Sequence, residues 1–175
     1  MDPDKLGKLA EAKINLWLNK PSDGYSFDRI PDQMTGYYMV SRNICDFHCY
    51  KYPCEFWIES KATEDDNFPF SRLTDFQRNG LRNKAEILGV FGLIIVLFAS
   101  YKRAFVFDIR DIAELTESRT STLRIKSINI NKISKWTIPY KEIQTIPSRQ
   151  ELLDYTGDLL DYLPNGGPYG RDLLH

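Results

Sequence analysis

The first apolar pattern along the chain is that of an amphipathic helix. Gly7, Glu11, Ile14 and Leu18 fall on one stripe at offsets of 0, 4, 7 and 11 positions, the periodicity of an α-helix that buries one face. The pattern predicts a helix over residues 4–19. Glu11 stands out in it, because a carboxylate lies at the edge of a face that should be apolar.

Runs rich in aromatic and β-branched residues then predict strands. The predicted strands cover residues 25–30, 37–50, 56–62, 90–100 and 103–109. The second and third are expected to pair as a hairpin through a turn at Tyr52-Pro53. The fourth is apolar at nearly every position, which is typical of a strand buried on both faces, and the fifth is its expected hairpin partner.

A second helix and a mixed C-terminal part complete the pattern. Ser71 or Thr74 is a suitable N-cap for a helix that runs to about Leu88. The predicted buried stripe of this helix consists of Leu73, Gln77, Leu81, Ala85 and Leu88. We also expect a polar loop over residues 63–70, short strands over 125–138 and a last helix over 148–163.

The order of elements is helix, three strands, helix, two strands and a smaller mixed end, which predicts an α/β fold. A chain of 175 residues is long enough for one domain with a substantial core. We expect a single domain at residues 1–163, with its core at about 5–110 and accessory elements at 111–163, and a mobile tail at 164–175.

Charge is distributed unevenly along a chain whose net charge is only −1. Residues 119–141 carry six basic side chains and no acidic one, whereas residues 150–175 carry five acids and one arginine. A basic segment followed by an acidic tail can leave one positive surface on a neutral protein, as nucleic-acid binding requires. The alternative is a solvated strand-and-loop surface.

The three cysteines, Cys45, Cys49 and Cys54, occur in a chain without a recognisable signal peptide. Their odd number indicates reduced thiols in a cytoplasmic protein. With His48 they suggest a zinc site, but Cys45 and Cys49 are expected on one face of their strand and His48 on the other, which argues against it. The longest apolar run, residues 87–99, is shorter than the about 20 residues that span a bilayer.

Glu59 and Lys61 are the most informative polar residues of the predicted strands. Residues two apart on a strand point to the same face, so the acid and the lysine share a face. Asp46 lies thirteen positions before Glu59, and the two acids meet if their strands form a hairpin. The alternative is that these charges only protect an edge strand.

Two carboxylates beside a lysine suit metal-dependent hydrolysis of a phosphodiester. We expect Asp46 and Glu59 to bind Mg²⁺ or Mn²⁺, with the backbone carbonyl of Ser60 and waters completing the shell. Lys61 is expected to orient the attacking water and to stabilise charge on the phosphate. Histidine occurs only at positions 48 and 175, and no P-loop, Gly-x-Gly-x-x-Gly turn or Gly-x-Ser-x-Gly elbow is present.

Glu11 and Gln77 both interrupt helix faces that should be apolar. A buried polar group without a partner costs about 1–3 kcal/mol, so a sequence that places one there is expected to supply a partner. We expect Glu11 to bind the metal directly or through a water, and Gln77 to orient the nucleophile or a phosphate oxygen. The alternative for each is an ordinary, satisfied polar group of the core.

The chain resembles the PD-(D/E)xK nuclease superfamily and, within it, Holliday junction resolvases of the RecU and archaeal Hjc type. The resemblance rests on Gly7-x-x-x-Glu11, Asp46, Glu59-Ser60-Lys61-Ala62-Thr63, and Phe68-Pro69-Phe70 before the helix of Gln77. It implies a restriction-endonuclease-like fold, in which a mixed central sheet is flanked by helices around an αβββαβ core.

The resemblance also implies roles and partners. In that family the acidic pair binds magnesium and the lysine serves catalysis, which assigns these roles to Asp46, Glu59 and Lys61. Glu11 and Gln77 complete the site, and Asp28 is a further candidate. Family members are homodimers, and the RecU branch carries a long stalk for which residues 31–45 leave little room.

Three functions remain open at this point. The first is a metal-dependent, structure-selective endonuclease that resolves four-way DNA junctions. The second is a restriction-like or repair endonuclease on the same fold, and the third is a DNA-binding module that has lost catalysis. The residues expected to contact DNA phosphates are Arg72, Arg78, Arg82, Lys84, Arg124, Lys126, Lys132 and Lys135.

Overall fold

Helix α1 (Pro3–Leu18) forms where the apolar stripe predicts it, and it buries Leu6, Ala10 and Ile14. The structure, a computed structural model, describes residues 2–18, 25–31, 43–51, 54–117, 126–132 and 141–144. Two further helices lie in these ranges, α2 (Asp75–Ala85) and α3 (Ile109–Glu117). None of the helices in these ranges combines the length and the apolarity needed to cross a membrane.

The strands of the described ranges form one large and one small sheet. In chain order they are β1 (Tyr25–Arg29), β2 (Phe47–Lys51), β3 (Cys54–Thr63), β4 (Asn67–Pro69), β5 (Val90–Phe98), β6 (Arg103–Asp108), β7 (Ser127–Asn129) and β8 (Lys141–Gln144). The large sheet has the order β1-β2-β3-β5-β6-β8, and β4 pairs with β7. Only β3 and β5 are parallel among these pairs. The predicted mixed sheet and its flanking helices are thus confirmed.

Two apolar clusters cover the two faces of the large sheet. On one face, α1 packs against even-numbered residues of β3, such as Phe56 and Ile58. On the other face, α2, α3 and the small sheet pack against residues of β5 and β6, including Ile94 and Phe105. Every residue of β5 is buried, as the continuous apolar run predicts, because a central strand with both faces covered has no polar side.

Two glycines let α2 approach the rest of the fold closely. A Cβ atom at Gly80 would lie 2.9 Å from the Cβ atom of Ile44 and still nearer to its Cγ2 atom. A Cβ atom at Gly92 of β5 would lie 2.7 Å from the carbonyl oxygen of Leu81. The absence of a side chain at both positions therefore allows the middle of α2 to lie close to Ile44 and to β5.

The second predicted strand, residues 37–50, was too long. The strand begins only at Phe47, because a bend at residues 44–46 breaks the alternation of side chains. Ile44 and Cys45 are consecutive, yet both pack on the α2 side, whereas Cys49 packs on the α1 side. The prediction that Cys45 and Cys49 share a face was therefore wrong, and residues 37–42 lie outside the described ranges.

Three other local predictions need correction. The predicted loop at residues 63–70 contains β4, in which Phe68 is fully buried opposite Ile128. Helix α2 ends at Ala85 rather than Leu88, because a turn with Gly89 at a φ of 78° follows, and Leu88 is 53% exposed. Helix α3 was not predicted. The predicted helix at 148–163 and the tail at 164–175 lie outside the described residues.

Replacing Gly80 by alanine should destabilise the protein. The added methyl group would overlap Ile44, and overpacking of this kind costs about 1–3 kcal/mol. Gly7→Ala is the matched control, because nothing lies within 4 Å of a Cβ atom at Gly7 and alanine stabilises a helix interior by about 0.5–1 kcal/mol. Urea denaturation gives both values, and equal free energies of unfolding for the two variants would contradict the close packing of α2.

Candidate active site

Asp46 and Glu59 meet where β2 begins beside β3. The register pairs Phe47 with Ile58, so Asp46 and Glu59 are the next opposing residues along the two strands. The backbone N–H of Asp46 donates to the carbonyl of Ile58 at 3.0 Å. The backbone N–H of Ser60 donates to Oδ2 of Asp46 at 2.7 Å, which fixes this carboxylate against the end of β3.

Glu59 is the centre of the site. Its side chain is 2% exposed, and the ammonium group of Lys61 lies 2.6 Å from its Oε1 atom. Nε2 of Gln77 donates to the same oxygen at 2.5 Å. The other oxygen, Oε2, is buried and has no hydrogen-bond partner among the described residues. One side of the carboxylate is therefore held by two donors, and the other side is unsatisfied.

The surroundings of Glu59 disfavour its charge. Burial and the neighbouring charge of Asp46 raise the pKa of its carboxyl group and Lys61 lowers it, with a net pKa of about 8. Glu11 is close enough to add a smaller increase. In the protein alone, a proton is thus favoured on Glu59 at neutral pH, and a cation bound at this position would take the place of that proton.

Gln77 reaches the site from the first turn of α2. The helix begins after Thr74, whose hydroxyl oxygen accepts from the backbone N–H of Gln77 at 3.2 Å. The Gln77 side chain in turn accepts from the backbone N–H of Thr74 at 3.2 Å, which completes a capping box. Gln77 was expected on a buried stripe, and it lies there with Glu59 as its partner.

Glu11 lies on α1 and Asp28 lies on β1. Oε2 of Glu11 is 2.6 Å from a guanidinium nitrogen of Arg29 on β1, and the Glu11 side chain is 26% exposed. No local sequence pattern predicts this ion pair, because it joins residues on two separate elements. Asp28 is exposed and pairs with His48 in the sheet.

A second polar group, absent from the sequence prediction, continues along the same face of β2 and β3. Glu55 accepts from the indole nitrogen of Trp57 at 2.7 Å and contacts Nε2 of His48 at 2.8 Å. Lys84 of α2 lies over the Trp57 ring at 4.2 Å. The group begins two positions along the strands from Asp46 and Glu59, since His48 is opposite Trp57 and the pair of Phe47 and Ile58 lies between.

The predicted phosphate contacts lie on several elements. Arg72 is exposed and lies over the Phe68 ring, and Arg78 pairs with the exposed Asp75 at 3.2 Å. Arg82 and the lysines at 126 and 132 are exposed, whereas Lys84 is half-buried. Positions 124 and 135 lie outside the described residues.

The three cysteine thiols are free and buried. Burial, with the nearby charges of Glu59 and Asp46, raises the pKa of the Cys45 thiol to about 12. Burial also raises the pKa of Cys54. Thiols of this kind are protonated at neutral pH, whereas zinc binds the thiolate. The described ranges contain no group of three or more His, Cys, Asp or Glu residues arranged to hold a metal ion.

Stability of the metal-free protein should fall as pH rises from about 4.5 to about 8. Below this window Glu59 is protonated in both states, and within it only the folded state keeps the proton. One pKa unit corresponds to about 1.4 kcal/mol, so a window of roughly 3.5 units corresponds to a loss on the order of 5 kcal/mol. Glu59→Gln, which is neutral at every pH, should remove this part of the pH dependence.

Urea denaturation in a chelator at several pH values measures this difference. Glu86→Gln, at the exposed C-cap of α2, is the control and should keep the wild-type slope. Parallel stability curves for wild type and Glu59→Gln would show that the buried carboxyl does not carry the raised pKa.

Comparison with known proteins identifies the family. The sequence model for "Recombination protein U" (RecU) matches residues 20–156, a range that includes Asp46, Glu59, Lys61 and Gln77 but not Glu11. No curated protein sequence matches the chain. The solved structure of Hjc from Archaeoglobus fulgidus, a Holliday junction resolvase from an archaeal hyperthermophile, is 15% identical, covers 74% of this chain and 93% of its own, and has a TM-score of 0.48. The match over most of the chain confirms the resemblance to the RecU branch: this chain belongs to the recombination protein U family.

Proposed function

We propose that this chain is a metal-dependent, structure-selective DNA endonuclease that resolves four-way (Holliday) junctions by hydrolysing phosphodiesters. Family membership supports the nuclease activity and the junction substrate. The observation that carries the proposal is the buried carboxylate of Glu59, which contacts Lys61 and Gln77 through one oxygen and leaves the other without a partner. A buried carboxylate oxygen without a hydrogen-bond partner is a suitable ligand for a cation, whereas it is unfavourable in an ordinary protein core.

The oxygen atoms at the site fit a hard divalent cation. Asp46 and Glu59 supply carboxylates on neighbouring strands, and Ser60 between Glu59 and Lys61 supplies a backbone carbonyl. Mg²⁺ is commonly held by one or two carboxylates and keeps several waters, so two acids suffice. Glu11 is a further candidate, acting through a water, although its carboxylate is shared with Arg29. Mn²⁺ has the same ligand preference and is the alternative metal.

The chemistry divides between the cation and the side chains of the chain. A bound divalent cation would supply a water of lowered pKa and neutralise charge on the phosphate. Lys61, which is 18% exposed, can reach a phosphate oxygen and stabilise the negative charge that develops there. The reaction forms one P–O bond to the water oxygen and breaks one P–O bond of the DNA, and the leaving oxygen takes a proton. Gln77 holds the carboxylate of Glu59 during this exchange.

Basic residues on α2 and just before it are the proposed contacts to DNA phosphates. Arg72 and Arg82 are exposed, and the pair of Arg78 with an exposed aspartate is weak enough to be exchanged for a phosphate. Lys126 lies just before β7, and its backbone carbonyl accepts from the backbone N–H of Phe70 at 2.9 Å. This hydrogen bond places Lys126 near Arg72, so Lys126 belongs to the same group of basic residues. Contacts of this kind position the DNA without reading its sequence.

Two copies of the chain are expected to act together. A four-way junction must be nicked on two opposing strands, and a two-fold symmetric homodimer presents two equivalent sites for this purpose. Sedimentation velocity tests this part of the proposal separately from cleavage. A cytoplasmic location, which the three free thiols favour, remains a prediction.

Asp46→Asn and Lys61→Ala should abolish cleavage of a synthetic four-way junction while leaving its binding intact. The first removes a metal-binding charge, and the second removes a group that stabilises the transition state, which is worth about 10²–10³ in rate. A gel of cleavage products with Mg²⁺, and an electrophoretic mobility assay in Ca²⁺ without cleavage, separate the two effects. Glu86→Gln is the matched acid-to-amide control and should cut at the wild-type rate.

The alternatives give different results in the same assays. Cutting of linear duplex with the junction left intact would favour a restriction-like or repair endonuclease. Absence of Mg²⁺ or Mn²⁺ binding in calorimetry, with no effect of Asp46→Asn on that result and no cleavage of any DNA substrate, would favour a DNA-binding module that has lost catalysis.

A further inference from the structure

The N-cap of α2 is linked to the active site through one side chain. Thr74 makes three hydrogen bonds with Gln77, each at 3.2 Å. Its hydroxyl oxygen accepts from the Gln77 backbone, and its backbone N–H and its hydroxyl both donate to Oε1 of Gln77. The other end of the same amide, Nε2, donates to Oε1 of Glu59. A capping box usually stabilises only the start of its helix. Here the glutamine of the capping box also donates a hydrogen bond to Glu59.

The capping box decides which way the Gln77 amide faces. With two donors of Thr74 directed at Oε1, the NH₂ group must point to Glu59. Rotation of the amide by half a turn would place the NH₂ group against these donors and the carbonyl oxygen against a carboxylate. A glutamate at position 77 would complete the capping box equally well, but it would set a second acid beside Glu59. The residue type at this position therefore follows from the active site rather than from the helix.

The orientation of Gln77 has a consequence for Glu59. Gln77 and Lys61 both contact Oε1, which holds the carboxylate in one rotamer and leaves Oε2 as the oxygen without a partner. The position of α2 is itself restrained by close packing of Gly80 against Ile44 and of Leu81 against Gly92 of β5. The helix start therefore cannot shift away to relax the contact without losing that packing.

We propose that Thr74 is a positioning residue of the nuclease site: its capping box orients the Gln77 amide, and this amide holds Glu59 so that Oε2 is presented to the cation. The inference rests on the proposed function for its catalytic consequence. The geometry on which it depends can be measured without any cleavage.

The test compares Thr74→Ala, Thr74→Ser, Gln77→Ala and the double variant Thr74→Ala/Gln77→Ala. Calorimetry gives the affinity for Mn²⁺ without DNA, and steady-state kinetics on a four-way junction gives kcat and KM. Loss of an outer partner of a metal ligand typically costs 10–100-fold in metal affinity or activity. We expect Thr74→Ala to lower Mn²⁺ affinity and kcat by roughly 10-fold or more on this scale, with KM unchanged, and Thr74→Ser to restore both.

Non-additivity distinguishes positioning from general damage. If Thr74 acts through Gln77, the double variant should be no worse than Gln77→Ala alone. Thr116→Ala, which removes a hydroxyl bonded to the carbonyls of Ile112 and Ala113 within α3, is the threonine-to-alanine control and should keep wild-type Mn²⁺ affinity. If the fold-losses in Mn²⁺ affinity and kcat of Thr74→Ala and Gln77→Ala multiply in the double variant, the two residues act independently. This result would overturn the inference.

A third readout uses the metal-free protein. In a ¹⁵N-labelled sample, Glu59→Gln should change the chemical shifts of the two side-chain amide protons of Gln77. Thr74→Ala should reduce the chemical-shift difference between these two protons. Thr74→Asp serves if Thr74→Ala does not fold, because aspartate is a strong N-cap whose carboxylate attracts the amide NH₂ group away from Glu59. It should keep the helix but lower Mn²⁺ affinity.

The two proposals fail in different ways. The Gln77 amide resonances could respond to the substitutions as expected in a protein that does not cut junctions. This result would overturn the proposed function and support the positioning of Glu59. Junction cleavage and Mn²⁺ affinity that stay at wild-type levels in Thr74→Ala would overturn the positioning role and leave the nuclease intact. A wild-type protein that binds no Mn²⁺ would overturn both.

Discussion

The site depends on one carboxylate that the fold keeps away from water. Glu59 is 2% exposed, and only one of its oxygens has hydrogen-bond partners among the described residues. Burial of a charge without full compensation costs several kcal/mol, and the nearby Asp46 adds repulsion rather than relief. Lys61 and Gln77 offset part of this cost at Oε1. What remains is an environment in which a proton or a cation is favoured beside Glu59, a common property of catalytic sites.

The fold supports this carboxylate from three directions. Strand β3 carries it in the centre of the sheet, parallel to β5 and antiparallel to β2, so its backbone is hydrogen-bonded on both sides. The bend before β2 brings Asp46 to its edge, where the N–H of Ser60 holds the aspartate. Helix α2 packs closely against the rest of the fold through Gly80 and Gly92, and its residue Gln77 donates to the Glu59 carboxyl group from that side of the sheet. The packing of the core therefore keeps this carboxyl group in a place where its charge is disfavoured.

The sequence was sufficient for the order of α1, β1, β2, β3, α2, β5 and β6 and for the meeting of Asp46, Glu59 and Gln77, because strand and helix periodicities are local and strong. It was insufficient where a structural feature depends on distant residues. The pairing of Phe68 with Ile128 and the ion pair of Glu11 with Arg29 join separate elements. The bend at residues 44–46 follows from the packing of Ile44 beneath Gly80. Helix α3 was readable, since Ile109, Ile112 and Ala113 have helical spacing, and Thr74-x-x-Gln77 is a recognisable capping box.

The most direct test of the account is the number of protons released when the free protein binds Mg²⁺ at pH 7. Calorimetric titrations in buffers of different ionisation enthalpy give this number. Because the pKa of Glu59 is raised to about 8, a cation that binds to its carboxylate must displace close to one proton. We expect release of nearly one proton per Mg²⁺ in the wild type and none in Glu59→Gln. Binding of Mg²⁺ without proton release, or equal release in the two proteins, would contradict it.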